Sequence, residues 1–382
     1  MSEIEDRHCI SVIPRRPIKI VRGKGAIVWD SEGNEYVDCV GGFGVAIVGH
    51  CNESVVRAIN EQIQRLITNP YIFYDDARAK LYEKLARIMP NELSRMFLCN
   101  SGTESVECAL KIARRYTGRK EIIAMKRGFH GRSMGSLSAT WNPRYRKNFE
   151  PLIPGFKHAR FNDFEDVKEQ MTDDTAAVII EPVQGEGGVY PVMKEFMQDL
   201  KESCDENQTL LIFDEVQTGF GRTGKMFALE HYDVVPDILC LSKGMAGGVP
   251  MGATVAKPEI FESLDELEHM STMGGNPLAC AASVATIDFI VNNNLPENAA
   301  KLGSYFIEQL RNIQSKTIRE VRGLGLMIGV ELRFPITKYI LEAMRRGVLL
   351  YSAGIATLRM LPPLVIKKQE IDRVVEVLSE AL

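Results

Sequence analysis

The chain has 382 residues, 45% of them hydrophobic and 25% charged, with a formal net charge of −4. That length exceeds what one hydrophobic core usually supports, so a large domain with a smaller companion is expected. The ordinary balance excludes extensive disorder, and the slightly acidic total gives no general attraction to nucleic acid or to a membrane, which leaves a small molecule as the expected partner.

Taken in chain order, the opening MSEIEDRHC is too polar and acidic for a signal or transit peptide. Residues 26–29 and 35–38 are β-prone runs separated by the turn-forming DSEGN, so they predict a hairpin. Beyond about residue 55 come the apolar runs 96–99, 176–180, 210–213 and 238–241. They are too short for helices and too uniformly apolar for half-exposed strands, which predicts interior strands of a covered sheet. Between the first two lies a helix predicted over 104–116, where Val106, Ala109, Leu110 and Ala113 share a face and Gly118 ends it.

Strand alternating with helix predicts an α/β fold with a mostly parallel central sheet. After residue 280 the pattern predicts a long helical segment, a strand at 327–332, a helix ending before Gly347, and a strand at 358–361. A last amphipathic helix carries Ile371, Val374, Val375 and Leu378 on one face. The division expected is an N-terminal hairpin segment (1–50) joining the small domain, a large domain (51–280), and a C-terminal small domain (281–382).

No apolar run approaches the ~20 residues that span a bilayer. The eight cysteines, at 9, 39, 51, 99, 108, 204, 240 and 280, form no CxxC pair and no metal-ligand spacing. They read as buried thiols in a reducing cytosol, with no metal site.

Three segments carry chemistry. In NSGTE, Ser101, Gly102 and Thr103 lead into the predicted helix, and a helix start of small residues offers backbone N–H groups to a phosphate. A Ser before a Glu-rich first turn is equally an everyday helix cap. Asp214, in IFDEVQTGFGRTG, directly follows a buried strand, where a charge is costly without a partner such as a protonated ring nitrogen. Lys243, in DILCLSK, follows the next apolar strand at the sheet edge where ligands of such folds bind, and desolvation there would favour its reaction with an aldehyde.

These segments stand in register with three more. Together NSGTESVECALKIARR, GFHGRSMGSLSAT, IIEPVQGEGGV, IFDEVQTGFGRTG, LSKGMAGGVPMGA and STMGGNPLACAA resemble the class III aminotransferases of pyridoxal-phosphate fold type I, over about residues 24–363. The resemblance implies a homodimer that binds pyridoxal 5′-phosphate in residues 51–280. Ser101, Gly102 and Thr103 would contact its phosphate, and Phe129 and Val216 would cover the two faces of its ring. Asp214 would pair with the ring nitrogen, Gln217 would hydrogen-bond the ring oxygen, and Lys243 would bond covalently to the cofactor. Ser271 and Thr272 would reach across the dimer interface.

For substrates, the resemblance implies that Arg359 binds the α-carboxylate of glutamate, while Glu186 pairs with Arg359 when an ω-amine donor is bound. Arg132 would bind the far carboxylate of each substrate, and 2-oxoglutarate would be the acceptor. Ile13 stands where ornithine aminotransferases carry a tyrosine, which argues against ornithine. The Trp141-Asn142 pair and REVRGLGLMIGVELRF are similar to enzymes of archaeal lysine and arginine synthesis, whose donor is linked to a small acidic amino-group carrier protein. Met273 departs from the aromatic residue usual in STxGGNP.

The basic stretch from Lys111 to Lys147, with eleven Lys or Arg against Glu121, would suit that carrier. Acetylornithine aminotransferase is the close alternative. Glutamate-1-semialdehyde aminomutase, an isomerase, is the alternative from another class.

Overall fold

The computed structural model describes residue 12 and residues 2–10 and 14–382; Ile13 lies outside them. The central sheet has seven strands. In spatial order they are Arg95–Cys99, Gly252–Ala256, Ile238–Leu241, Leu210–Asp214, Thr175–Ile180, Glu121–Met125 and Phe156–Ala159. Gly252–Ala256 alone runs against the direction of the other six. The expected mostly parallel α/β fold is therefore present. The four predicted runs are strands of it, three of them extended by a residue, but Arg95–Cys99 stands at the sheet edge rather than inside it, with Arg95 exposed and Met96 and Phe97 half-buried. The strands 121–125, 156–159 and 252–256 are additions to the sequence reading.

Helix Gly102–Thr117 shows how local chemistry sets the frame. The Ser101 hydroxyl accepts from the Glu104 N–H, and the Glu104 carboxylate accepts from the Asn100 N–H at 2.8 Å. Two N-terminal donors are thus satisfied reciprocally. Gly118, at φ +69°, closes the other end in the left-handed conformation. The buried face takes in Ser105, Cys108 and Ile112 besides the four predicted residues, because the helix packs against several strands at once.

A second sheet has four antiparallel strands in the order Ile318–Leu324, Met327–Leu332, Thr357–Met360 and Tyr351–Ala353. A third takes Ile20–Lys24, Ile27–Asp30 and Glu35–Asp38 from the predicted hairpin region and pairs the last with Val348–Leu349 near the other chain end. Two long helices, Pro277–Asn292 and Leu295–Arg311, lead into this C-terminal region. In the final helix, Lys368–Ala381, Val377 is buried and Val375 only half-buried, so the apolar face is rotated from the predicted one. Among the described residues no single helix is long and apolar enough to cross a membrane.

The thiol expectation needs one correction. Six cysteines are buried, but Cys9 and Cys51 are exposed, each in a turn or bend beside polar residues.

Candidate active site

Register brings two predicted residues to one edge. Asp214, the last residue of its strand, pairs with Cys240 on the parallel neighbour, and Lys243 follows three residues later. Both line a cavity of about 470 Å³ at the C-terminal end of these strands, together with Ser101, Gly102, Thr103, Phe129, Arg132, Glu186, Val216, Gln217 and Arg359. Eleven of the thirteen predicted site residues thus converge. Ser271 and Thr272 do not; they line a neighbouring recess with Asn100, Glu104 and Glu107. The Ser271 hydroxyl there accepts from Asn100 Nδ2 and the Gly274 N–H.

Lys243 lies half-buried with its backbone at φ +41°, a strained conformation for a side-chain-bearing residue that costs about 1–3 kcal/mol and clusters at functional sites. Its Nζ donates to Gln217 Oε1 at 2.7 Å. Burial, followed by the charge of Arg359, lowers its pKa to about 8 against the opposing pull of Asp214, Glu181 and Glu186. An amine so tuned is available as a nucleophile and proton carrier near neutral pH.

Asp214 is buried, as expected, but its nearest partner is one the sequence reading did not name. His130 Nδ1 lies 2.7 Å from Asp214 Oδ2, while Oδ1 accepts from the Val216 N–H. Burial opposes a proton on His130, yet the hydrogen bond and charge of Asp214, with Glu181 behind, raise its pKa. Glu181 is a second unforeseen member. Burial pushes its carboxyl up to about 7, and it accepts from the Phe129 N–H at 2.9 Å and the Gly185 N–H at 3.0 Å. It therefore ties the loop of Phe129 and Arg132 to the loop of Glu186.

The opposite wall comes from the second sheet. Arg359, on strand Thr357–Met360, is buried, and its Nη1 lies 3.2 Å from Glu186 Oε2. Tyr351 faces it across the strand pair and meets Phe43 edge-on at 4.8 Å; both line the cavity and neither was predicted. Arg222 of GFGRTG, fully buried, donates to the backbone oxygens of Leu326 and Pro362 and so braces this sheet against the central one.

The match with known proteins follows this geometry. Residues 12–382 match the family model described as Aminotransferase class-III. The chain is a class III aminotransferase. It is 47% identical to an acetylornithine aminotransferase of Methanopyrus kandleri, over all of this chain and 98% of that protein. It is 45% identical to a [LysW]-aminoadipate semialdehyde transaminase of Deinococcus radiodurans, over 99% of this chain and 89% of that one. A solved ornithine aminotransferase of Toxoplasma gondii, with partial occupancy of PLP at its active site, superposes with a TM-score of 0.96. It is 31% identical, covering all of this chain and 92% of its own.

The cofactor of this aminotransferase is pyridoxal 5′-phosphate, and the cavity fits it on three counts. Gln217 Nε2 is buried without a hydrogen-bond partner, as a donor awaiting a ring oxygen would be. A Cβ at Gly102 would come within 2.6 Å of Val216 Cγ1, so only glycine lets the helix start lie against the side chain that walls the cavity. Finally, a buried carboxylate, Asp214, shares the cavity with the Lys243 amine.

Proposed function

We propose that this aminotransferase moves the terminal amino group of an amino acid whose α-amine is masked to 2-oxoglutarate, giving a semialdehyde and glutamate. The pairing of Glu186 with buried Arg359 carries the reading. Glutamate brings an α-carboxylate for Arg359, whereas a terminal amine has no carboxylate beside it. An unpaired buried guanidinium costs about 3–5 kcal/mol. Glu186 removes that penalty for the ω-amine and moves aside for the α-carboxylate.

Bound pyridoxal phosphate supplies an aldehyde carbon for the amine and a protonated ring that takes up the electron pair left at the substrate carbon. Ser101, Gly102 and Thr103 would hold its phosphate at the helix start, Phe129 and Val216 would enclose its ring, and Gln217 Nε2 would donate to its ring oxygen. Asp214, held by His130, would keep a proton on the ring nitrogen. Lys243 Nζ, lowered to a pKa of about 8, would accept the proton given up by the reacting substrate carbon and hold it within the cavity. Arg132 lies over the ring of Tyr145 at 3.8 Å and would receive the far carboxylate of either substrate.

Ser271 and Thr272 would act across a homodimer interface. Their recess adjoins exposed Met270 and Met273, and Ile72, Phe73 and Tyr74 add further exposed apolar surface. Exposed large apolar side chains in such number favour a covered interface.

For the donor we favour lysine, or ornithine, linked through its α-amine to an acidic carrier protein. The supporting surface is smaller than the basic stretch suggested. Arg115 pairs with Asp265 and Glu268, while Arg114 and Arg119 are spent on backbone oxygens. Arg144 and Lys147 remain exposed, close to Tyr145, which touches both Arg132 and Glu186 at the cavity. Free N-acetylornithine is the second reading, favoured by the 47% identity to an acetylornithine aminotransferase.

Two outcomes test this reading. Glu186→Ala should lower kcat/KM for a masked ω-amine donor by about 10–100-fold, the worth of a hydrogen bond to a charged group, while improving glutamate as donor. Stopped-flow half-reactions would register this, and equal losses in both would count against the pairing. With a carrier-linked donor, kcat/KM should fall as salt is added, and reversing Arg144, Arg146 and Lys147 to Glu should slow association while sparing small amines. Salt-insensitive turnover with a preference for free N-acetylornithine would favour the second reading.

A further inference from the structure

Tyr145 lies on the short helix Pro143–Arg146, between two arginines, and belongs to none of the long motifs. Its ring is confined on two sides: the Arg132 guanidinium lies 3.8 Å from its centroid, and the Phe129 ring meets it edge-on at 5.9 Å and 88°. Its hydroxyl donates to Glu186 Oε1 at 3.1 Å. The other oxygen of Glu186 faces Arg359 Nη1 at 3.2 Å. The carboxylate is thus held by one partner on each oxygen, from two separate elements.

The loop that carries Glu186 is rich in glycine. Gly185, Gly187 and Gly188 flank it, and Gly188 has φ +123°. A Cβ at Gly187 would come within 2.7 Å of the Arg127 backbone oxygen, so the present path depends on glycine. For Arg359 to receive a substrate carboxylate, Glu186 must leave Tyr145 as well as Arg359.

We propose that Tyr145 is a positioning residue that sets the balance between the Arg359-paired and displaced states of Glu186, and with it the enzyme's relative preference for ω-amine and α-amino donors. This rests on the pairing role given to Glu186 under the proposed function. Burial and the neighbouring Glu186 raise the Tyr145 pKa, so the phenol keeps its proton and remains a donor through the neutral range. Removing a hydrogen bond to a charged acceptor changes a two-state balance by about tenfold or more. The apparent affinity of a ligand that needs the displaced state changes by the same factor while that state is minor.

The test compares wild type, Tyr145→Phe, Glu186→Ala and the double variant as holoenzymes, with two readouts. The first is binding of glutarate, a dicarboxylate with neither amine nor keto group, measured by calorimetry. The second is KM and kcat for glutamate and for N-acetylornithine. Tyr145→Phe should bind glutarate about tenfold more tightly and lower KM for glutamate with kcat little changed, while KM for N-acetylornithine rises. In the Glu186→Ala background the same substitution should have no further effect, because its only route is through Glu186.

A residue that merely fills the cavity wall would give unchanged glutarate affinity in Tyr145→Phe, since the phenyl ring keeps the contacts with Arg132 and Phe129. That result overturns the proposal, as does an undiminished effect in the Glu186→Ala background. If Glu186→Ala itself leaves glutarate affinity and donor preference unchanged, the pairing role of Glu186 is what fails.

Discussion

Replacing Lys243 with Ala is expected to reduce transamination by more than about 10⁴-fold, the upper range for a positioned acid–base group, and to leave no cofactor bond that borohydride can fix. The proposed function gives Lys243 two roles at one nitrogen, covalent attachment and proton transfer, and the described residues bring no second lysine into the cavity. Alanine is the informative replacement because it keeps a Cβ at φ +41°, whereas glycine would also release backbone strain.

The amine's pKa of about 8 adds a signature in the unmodified enzyme. Burial and Arg359 lower it, so the reactive neutral amine gains population as pH rises through about 8. Cofactor uptake by the apoenzyme should therefore accelerate between pH 7 and 9. A variant without Lys243 that still yields a reduced protein–cofactor adduct would reassign the attachment.

Asp214→Asn is expected to lower kcat by about 10²–10³-fold, as removal of a preorganised electrostatic partner typically does, and to weaken cofactor retention on dialysis. The amide keeps the shape but loses the charge. It also brings an NH₂ group where Asp214 now accepts from both His130 and the Val216 N–H, so one of those contacts must turn away. The effect should be visible away from turnover. Asp214 is the main influence holding the His130 pKa up against burial, and in the variant that pKa should fall, which the imidazole resonances of labelled protein would report. Normal turnover in the variant would remove Asp214 from the mechanism.

Sequence made the parallel frame and the strand-end residues legible because both rest on local chemistry. Apolar runs of four or five residues cannot be exposed, and Asp214 and Lys243 stand out because charges directly after such runs need a reason. The strands Glu121–Met125, Phe156–Ala159 and Gly252–Ala256 were not legible. Each mixes a charged, polar or small residue into a short run, and their place in the sheet comes from neighbours far along the chain.

The same holds within the site. His130 and Glu181 lie inside quoted motifs, but their roles depend on contacts spanning 84 and 52 residues. A buried acid in IIEP was the available signal for Glu181. Tyr145 gave none, since a tyrosine between arginines on a short polar turn reads as surface until the fold brings Glu186 to it. The basic stretch erred in the opposite direction. Its charges cluster in sequence but the sheet distributes them, sending Arg115 to Asp265 and Glu268 and Arg119 to backbone oxygens.

The most direct test of the central claim follows a single nitrogen. N-acetylornithine and carrier-linked lysine, each labelled with ¹⁵N at the terminal amine, would be turned over with 2-oxoglutarate and the glutamate formed analysed by mass spectrometry. The account predicts that the label passes into glutamate in step with semialdehyde release from at least one of the two donors, and that omitting 2-oxoglutarate stops the reaction after one turnover. Label retained on the donor skeleton through continued turnover without 2-oxoglutarate, as an aminomutase would give, would contradict it.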